Sequence, residues 1–340
     1  MRIWDENTLD WLLASPSERL VNDMKKIEGD IIVIGAGGKM GPSFCLLLKN
    51  ALKKAGINAK VTAASRFADK SAANILRDSG VDAISADLLE RGALDRLPDA
   101  PNVVYMAGRK FGTNGQEHMT WATNVWLASR VAERYKNSRI AVFSSGNVYP
   151  QVPAASGGAD ESTPVEPVGE YAMSCVGRER IFEYAARTFG TKISICRLNY
   201  AIDLRYGVLC DIAEKVNAGI PVSAQMPAFN CIWQGDANEM IARSLLCADS
   251  GIFYLNVSGP ETVSVAKTAQ KFAKYFNKEA LLDGEPQETA LLCNAGKMAE
   301  LFGYPSVSLE TMIRWQAEWI MSGGRSLGKP THFEEKKGAY

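Results

Sequence analysis

Four aliphatic residues in a row, Ile31-Ile32-Val33-Ile34, open a long alternation of short apolar runs and amphipathic stretches. An unbroken apolar run of this length suits a strand buried on both faces of a parallel sheet. Further runs at 59–64, 82–85, 102–106, 140–144 and 192–197 read as strands, and stretches near 41–55, 69–79, 117–136 and 171–189 read as helices. Strand and helix in alternation predict βαβ units, with parallel strands and right-handed crossovers. The expected fold class is α/β: a doubly wound parallel sheet over residues 30–200, with a smaller C-terminal α/β domain formed mainly by 201–325.

Residues 1–29 predict a helical arm in two pieces, broken at Ser15-Pro16-Ser17. Its Trp4, Leu9, Trp11, Leu12 and Leu13 need a surface to cover, on the main domain or on a neighbour. Beyond residue 200 glycine and proline interrupt the pattern. Two later helices stand out, near 264–276 and after Ser308, the second with Leu309, Met312, Ile313, Trp319 and Ile320 along one side. Residues 326–340 form a polar tail, which either orders over the site or a partner or frays as termini do.

Composition narrows the classes. With 340 residues the chain can bury a large core, and 46% hydrophobic residues with 38 basic against 38 acidic argue against disorder and against a nucleic-acid partner. No apolar stretch approaches the roughly 20 residues of a membrane span. The acidic start (Asp5, Glu6, Asp10) does not read as a signal peptide. Seven scattered cysteines without a C-x-x-C pair fit reduced thiols in a cytoplasm, with neither a disulfide frame nor a metal site. Asn256-Val257-Ser258 then reads as a chance match to a glycosylation acceptor.

The candidate chemistry starts where the first strand ends. In GAGGKMG, Gly35, Gly38 and Gly41 allow a tight turn whose backbone amides, with Lys39 and Met40 between them, can approach a pyrophosphate at a helix N-terminus. A dinucleotide fold places an acid at the end of its second strand for ribose hydroxyls, or an arginine for a 2′-phosphate. Here Ser65-Arg66 stand there, and no carboxylate follows until Asp69. Arg66 brings a planar cation, so NADP is expected, with NAD as the alternative. Asp87 and Leu88 follow the third strand, where a carboxylate can meet the adenine amine.

These motifs, taken in order, resemble the extended short-chain dehydrogenase/reductase family of the NAD-dependent epimerase/dehydratase type. The likeness covers about 30–320. It rests on GAGGKMG at 35–41, ADL at 86–88, YMAG at 105–108 with its Ala107-Gly108, and TNVWLASRV at 123–131. VFSSGNVYP at 142–150, EYAMSCVGRE at 170–179, CRLNY at 196–200, IWQGDANEM at 232–240 and YLNVSGPETVSV at 254–265 continue it. The resemblance implies a Rossmann domain, reversible hydride transfer on a sugar-like secondary alcohol or ketone, and a homodimer built on the helices near 117–136 and 171–189. It makes Tyr171 the proton carrier, Ser145 the group that orients the substrate oxygen, and Asn124 the support of the site. Asn199, Tyr200, Arg205 and also Arg197 stand where the substrate region begins.

One departure is plain. The family pattern is Tyr-x-x-x-Lys, and four residues after Tyr171 stands Cys175. A thiol brings no positive charge to lower the phenol pKa, and none to hold the nicotinamide ribose. Three readings follow. Another cation stands in, with Lys110, Arg109 or Arg178 as candidates; the reaction does not need an activated tyrosine; or catalysis has lapsed, leaving a dinucleotide-binding regulator or scaffold. Arg178, seven residues beyond Tyr171, shares its helical face but starts roughly 10 Å along the axis. Dehydration ranks below redox or epimerisation, because Gly146-Asn147, not an acid, follow Ser145.

Overall fold

The computed structural model describes residues 3–112, 115–249, 251–336 and 338. Met1 and Arg2 of the arm, and Lys337, Ala339 and Tyr340 of the tail, lie outside the described residues. Seven strands form the central sheet: β1 (Ile31–Ile34), β2 (Val61–Ser65), β3 (Asp82–Ser85), β4 (Asn102–Tyr105), β5 (Arg139–Ser145), β6 (Lys192–Leu198) and β7 (Ile252–Val257). Their spatial order is β3-β2-β1-β4-β5-β6-β7, and every neighbouring pair is parallel. The order reverses between β1 and β4, which opens a crevice at the C-terminal ends of those strands. Six of the strands fall where the apolar runs predict. β7 was not expected, although Ile252–Val257 is apolar apart from Asn256; it is an edge strand, paired only with β6.

Two apolar layers enclose the sheet. One is built from α3 (Gly41–Ala55) and α9 (Gln234–Ser244), with Phe44, Leu48, Met240 and Ile241 at its centre. The other comes from α6 (Leu127–Arg134) and α7 (Gly169–Phe189), with Leu127, Val131, Phe182 and Tyr105. A further cluster gathers α8 (Val208–Ala218), α10 (Val265–Phe276) and α12 (Leu309–Met321) around Ile212, Phe272 and Trp319. The stretch expected as one helix near 117–136 is interrupted. Glu117–Trp121 and Leu127–Arg134 are α-helical, but Ala122–Trp126 form a π turn. Such turns insert an extra residue and occur often at functional sites.

The arm folds as two capped helices, α1 (Glu6–Leu13) after Asp5 and α2 (Glu18–Met24) after Ser17. Leu9 and Leu13 join the α8–α12 cluster, and Leu20 and Met24 join the α3 layer. The arm thus covers the chain's own body. The tail is also ordered over it: Phe333 is buried, Thr331 donates to Asp211 through Nα and Oγ1 (2.8 and 2.5 Å), and Glu334 pairs with Lys215. Among the described residues no helix is long and apolar enough to cross a membrane. All seven cysteines are free thiols. The Asn256 amide is fully buried and donates to Ala159 and Asn294 carbonyls, which removes it as a glycosylation acceptor.

Candidate active site

Close packing fixes two of the glycines. Gly35 takes φ +92°, and a Cβ there would lie 2.4 Å from the Ala107 nitrogen. A Cβ on Gly41 would lie 2.1 Å from the Ala36 carbonyl oxygen. Gly38 is different. A Cβ there would meet nothing nearer than the Gly35 oxygen at 3.8 Å, so this face of the turn is open. The helix that follows, α3, has no side-chain cap at Met40, carries Pro42 in its first turn and has no acidic residue there. An open glycine face at the positive end of an uncapped fifteen-residue helix fits the phosphates of a dinucleotide. Lys39 leaves that turn to donate to the Ala201 carbonyl at 3.2 Å and lies over the Tyr206 ring. Burial lowers its pKa to about 8.

Around the far end of the crevice, the Ser65 hydroxyl packs on the turn, 2.6 Å from where a Gly37 Cβ would be. Arg66 is exposed, and its carbonyl accepts from Ser85 Oγ. Asp69 is already committed, capping α4 (Lys70–Asp78) by accepting from Ser71 N and Oγ at 2.8 and 2.6 Å. Asp87 accepts from Leu89 N at 3.0 Å, while Leu88 is buried in the layer that holds Ala107.

Ser145 ends β5, and Tyr171 stands in the first turn of α7. The phenol shares hydrogen bonds with the Ser145 hydroxyl and the Cys175 thiol. Arg178 closes the row: its Nη2 donates to Cys175 Sγ at 3.2 Å and its Nη1 to the Ala107 carbonyl at 3.1 Å. The axial gap that separates Arg178 from Tyr171 in the sequence disappears because long helical side chains lean toward the N-terminus. Gly35, Ala107, Arg178, Cys175, Tyr171 and Ser145 are therefore linked contact by contact from the glycine turn to the catalytic candidates. Burial pushes the Tyr171 phenol well above its ordinary value and Cys175 adds to the rise, while Arg178 and Ser145 oppose it.

Asn124 sits in the π turn and is fully buried. Its Oδ1 accepts from Arg109 N at 2.8 Å, and its Nδ2 donates to Arg109 O and to Ser174 Oγ at 3.1 and 2.8 Å. It thereby ties the loop after β4 to α7. That loop carries Lys110, whose Nζ lies 5.8 Å from the centre of the Tyr171 ring and donates to the Thr331 carbonyl of the tail at 3.3 Å. Burial lowers the Lys110 pKa to about 8.

Behind Ser145 lies a buried polar layer that sequence reasoning missed. Ser144 Oγ donates to Glu179 at 2.5 Å, and Glu179 receives two bonds from Arg197 at 3.1 and 2.8 Å. Arg197 also donates to the Tyr149 hydroxyl, which donates to Asn256 Oδ1. Arg197 is thus a buried partner of Glu179, not a substrate contact. The signal was available: Glu179 lies eight residues after Tyr171, on the same inward face. Arg205 is also corrected. Asp203, Glu6 and Asp10 surround its guanidinium at 2.9, 3.2 and 2.8 Å, so its charge is spent joining the arm to the body. Asn199 is buried and bonds Asn230 at 3.2 Å, beside Gly146. Tyr200, at φ +44°, is half-buried next to it. Among the described residues no group of three His, Cys, Asp or Glu could hold a metal ion.

Residues 31–202 match the NAD dependent epimerase/dehydratase family. No curated protein matches the chain significantly. Among solved structures, the chain is similar to UDP-glucuronic acid 4-epimerase from Bacillus cereus in complex with NAD, at 18% identity and TM-score 0.70, covering 86% of this chain and 98% of that one. It is also similar to a dTDP-glucose 4,6-dehydratase from Streptomyces venezuelae with NAD bound (18% identity, TM-score 0.72, 86% and 97% covered). A third likeness is to UDP-glucose 4-epimerase from Thermotoga maritima with UDP-glucose (16% identity, TM-score 0.69, 86% and 99% covered). At these identities the likeness is one of fold.

Proposed function

The chain belongs to the NAD dependent epimerase/dehydratase family, and from that premise we propose an enzyme that uses NAD or NADP to oxidise and reduce a secondary alcohol of a sugar, sugar acid or nucleotide-sugar. The observation that carries this reading is the Tyr171 phenol held against Ser145 and linked through Arg178 and Ala107 to the glycine turn. When bound, the dinucleotide supplies a hydride acceptor and donor at its nicotinamide ring. The open Gly38 face and the α3 N-terminus hold its phosphates, and Ser65, Arg66, Asp87 and Leu88 surround its adenosine end. The proton work belongs to this chain. Tyr171 gives its proton to the carbonyl oxygen during reduction and takes one from the hydroxyl during oxidation, while Ser145 donates to that same oxygen and fixes its direction.

Arg66 beside a committed Asp69 favours NADP, whereas the similar structures named above were seen with NAD. The substrate class rests on the family and on the UDP-sugar bound in the Thermotoga epimerase. A homodimer is part of the reading: α6, the π turn before it and α7 pack together, and Trp126 of the turn and Met173 and Tyr184 of α7 are exposed. The second reading, a dinucleotide-binding regulator without turnover, draws on one observation, the thiol at Cys175.

One assay separates the two. Purified protein is mixed with NADP or NAD and, in turn, UDP-glucose, UDP-glucuronic acid and dTDP-glucose, followed by absorbance at the reduced-nicotinamide band and by product stereochemistry. The enzyme reading expects reduction of the cofactor or epimerised product, lost in Tyr171→Phe. Tight cofactor binding with no change in any sugar supports the regulator and overturns the enzyme.

A further inference from the structure

Arg178 is a buried cation, 4% exposed, and among the described residues no carboxylate forms an ion pair with it; neighbouring Glu179 pairs with Arg197 instead. A guanidinium stays charged at every pH a protein survives. An uncompensated buried charge is costly, so a structure that keeps one gains most from a group nearby that can become an anion. The acidic groups facing Arg178 are the Cys175 thiol, the Tyr105 phenol on β4, the Tyr171 phenol and, more weakly, the Glu179 carboxylate, which Arg197 holds. The Tyr105 hydroxyl is taken up by the Thr123 carbonyl, to which it donates. The Cys175 sulfur accepts from Arg178 Nη2. Of these groups Tyr171 alone exchanges a proton with substrate in the reading above.

Resting on that reading, we propose that Arg178 supplies, across the Cys175 sulfur, the positive charge that a lysine four residues after Tyr171 would otherwise bring. Cys175 is then a spacer: its small side chain leaves room for the guanidinium to fold back, and its sulfur accepts from Nη2 while meeting the phenol. Arg178 touches neither substrate nor cofactor in this scheme and is a positioning residue. The phenol proton passes to and from the substrate oxygen; the thiol and guanidinium keep theirs. Lys110 has a different place. It approaches the ring face of Tyr171 and is anchored to the tail at Thr331.

The test needs no substrate, so it is separable from the turnover assay. The full chain is labelled with fluorotyrosine, whose phenol ionises at lower pH, and titrated by fluorine NMR; the Tyr171 resonance is identified by its absence in Tyr171→Phe. Loss of an opposite charge at this range raises a pKa by about one to three units. Arg178→Met should move the Tyr171 midpoint up by about one unit or more. Adding Cys175→Lys to that variant should bring it back, Arg178→Lys should retain part of the effect, and Lys110→Met should leave it in place. An unmoved midpoint in folded Arg178→Met, or an equal shift in Lys110→Met, overturns the proposal. Should Arg178→Met fail to fold, melting temperatures decide. Cys175→Lys alone puts two cations in one buried place and should melt lower than the swap Cys175→Lys with Arg178→Met. Equal or reversed melting temperatures would sink the idea.

Discussion

At the residue scale, what the sequence revealed depended on whether a side chain's role was local. The places of Ser145, Tyr171 and Asn124, at a strand end, a helix start and a facing helix, were legible because motif spacing is local. Arg197 and Arg205 were misread for the converse reason. Each looks like an available cation in the linear chain, and only the fold brings Glu179 to the first and the arm's Glu6 and Asp10 to the second. Tyr171→Phe should lower turnover by about 10² to 10⁴-fold, the usual worth of a positioned acid/base group, with cofactor affinity kept. Glu179→Gln should destabilise the protein by about 3–5 kcal/mol in urea unfolding, since it leaves the buried Arg197 charge without its partner. A loss within 1 kcal/mol would show that water reaches that layer.

Lys110 offers a pH test at the same scale. Its folded pKa, about 8, lies below the ordinary 10.5 because burial disfavours the ammonium. The unfolded chain therefore holds the extra proton between those values, and stability from this group rises as pH climbs from about 8 toward 10.5. Lys110→Met should gain most over wild type at pH 7, with the difference shrinking as pH rises through that window. A difference constant from pH 7 to 11 would show that Lys110 is solvated.

At the element scale, apolar runs and helical spacing marked six of the seven strands and the flanking helices, since burial on both faces leaves a strong signal. The π turn at Ala122–Trp126 left none, because it differs from an α-helix only in a shifted hydrogen bond; the edge strand β7 was passed over although its Ile-Phe-Tyr-Leu run is as apolar as those of the strands found. The glycine turn separates two roles that the motif merges. Gly41→Ala should lower the melting temperature, as its Cβ has no space beside Ala36. Gly38→Ala should leave the melting temperature nearly unchanged and weaken NADP and NAD binding, since its Cβ enters only the open face. Equal behaviour of the two, by calorimetry and fluorescence titration, would remove the phosphate site from that face.

For the whole molecule, the arm and tail are the parts that composition could not place. The arm's apolar residues called for a surface without saying which, and the tail is polar enough to have been a loose end. They are fixed by contacts that no local pattern encodes: Ser17 to Glu239, Arg205 to the arm, and Thr331 and Phe333 to α8 and the core around Phe229. The tail then continues to α7, where Gly338 packs on Gly169, so one segment spans from the arm to the helix that carries Tyr171. Phe333→Ala should release it, raise Lys110 accessibility to amine-modifying reagents, and leave the sheet's melting transition in place. Unchanged labelling would mean that Thr331 alone holds the tail.

The central claim is that a pyridine dinucleotide lies across the sheet with its reactive ring beside the Tyr171 phenol. A crystal structure of the chain with NADP, and one with NAD, measures this directly. The account predicts phosphate oxygens within hydrogen-bond distance of the backbone amides between Gly38 and Gly41, and the nicotinamide in contact with Tyr171 and Ala107. Density for the dinucleotide elsewhere, or a Tyr171 side chain turned out of the crevice in the complex, would contradict it.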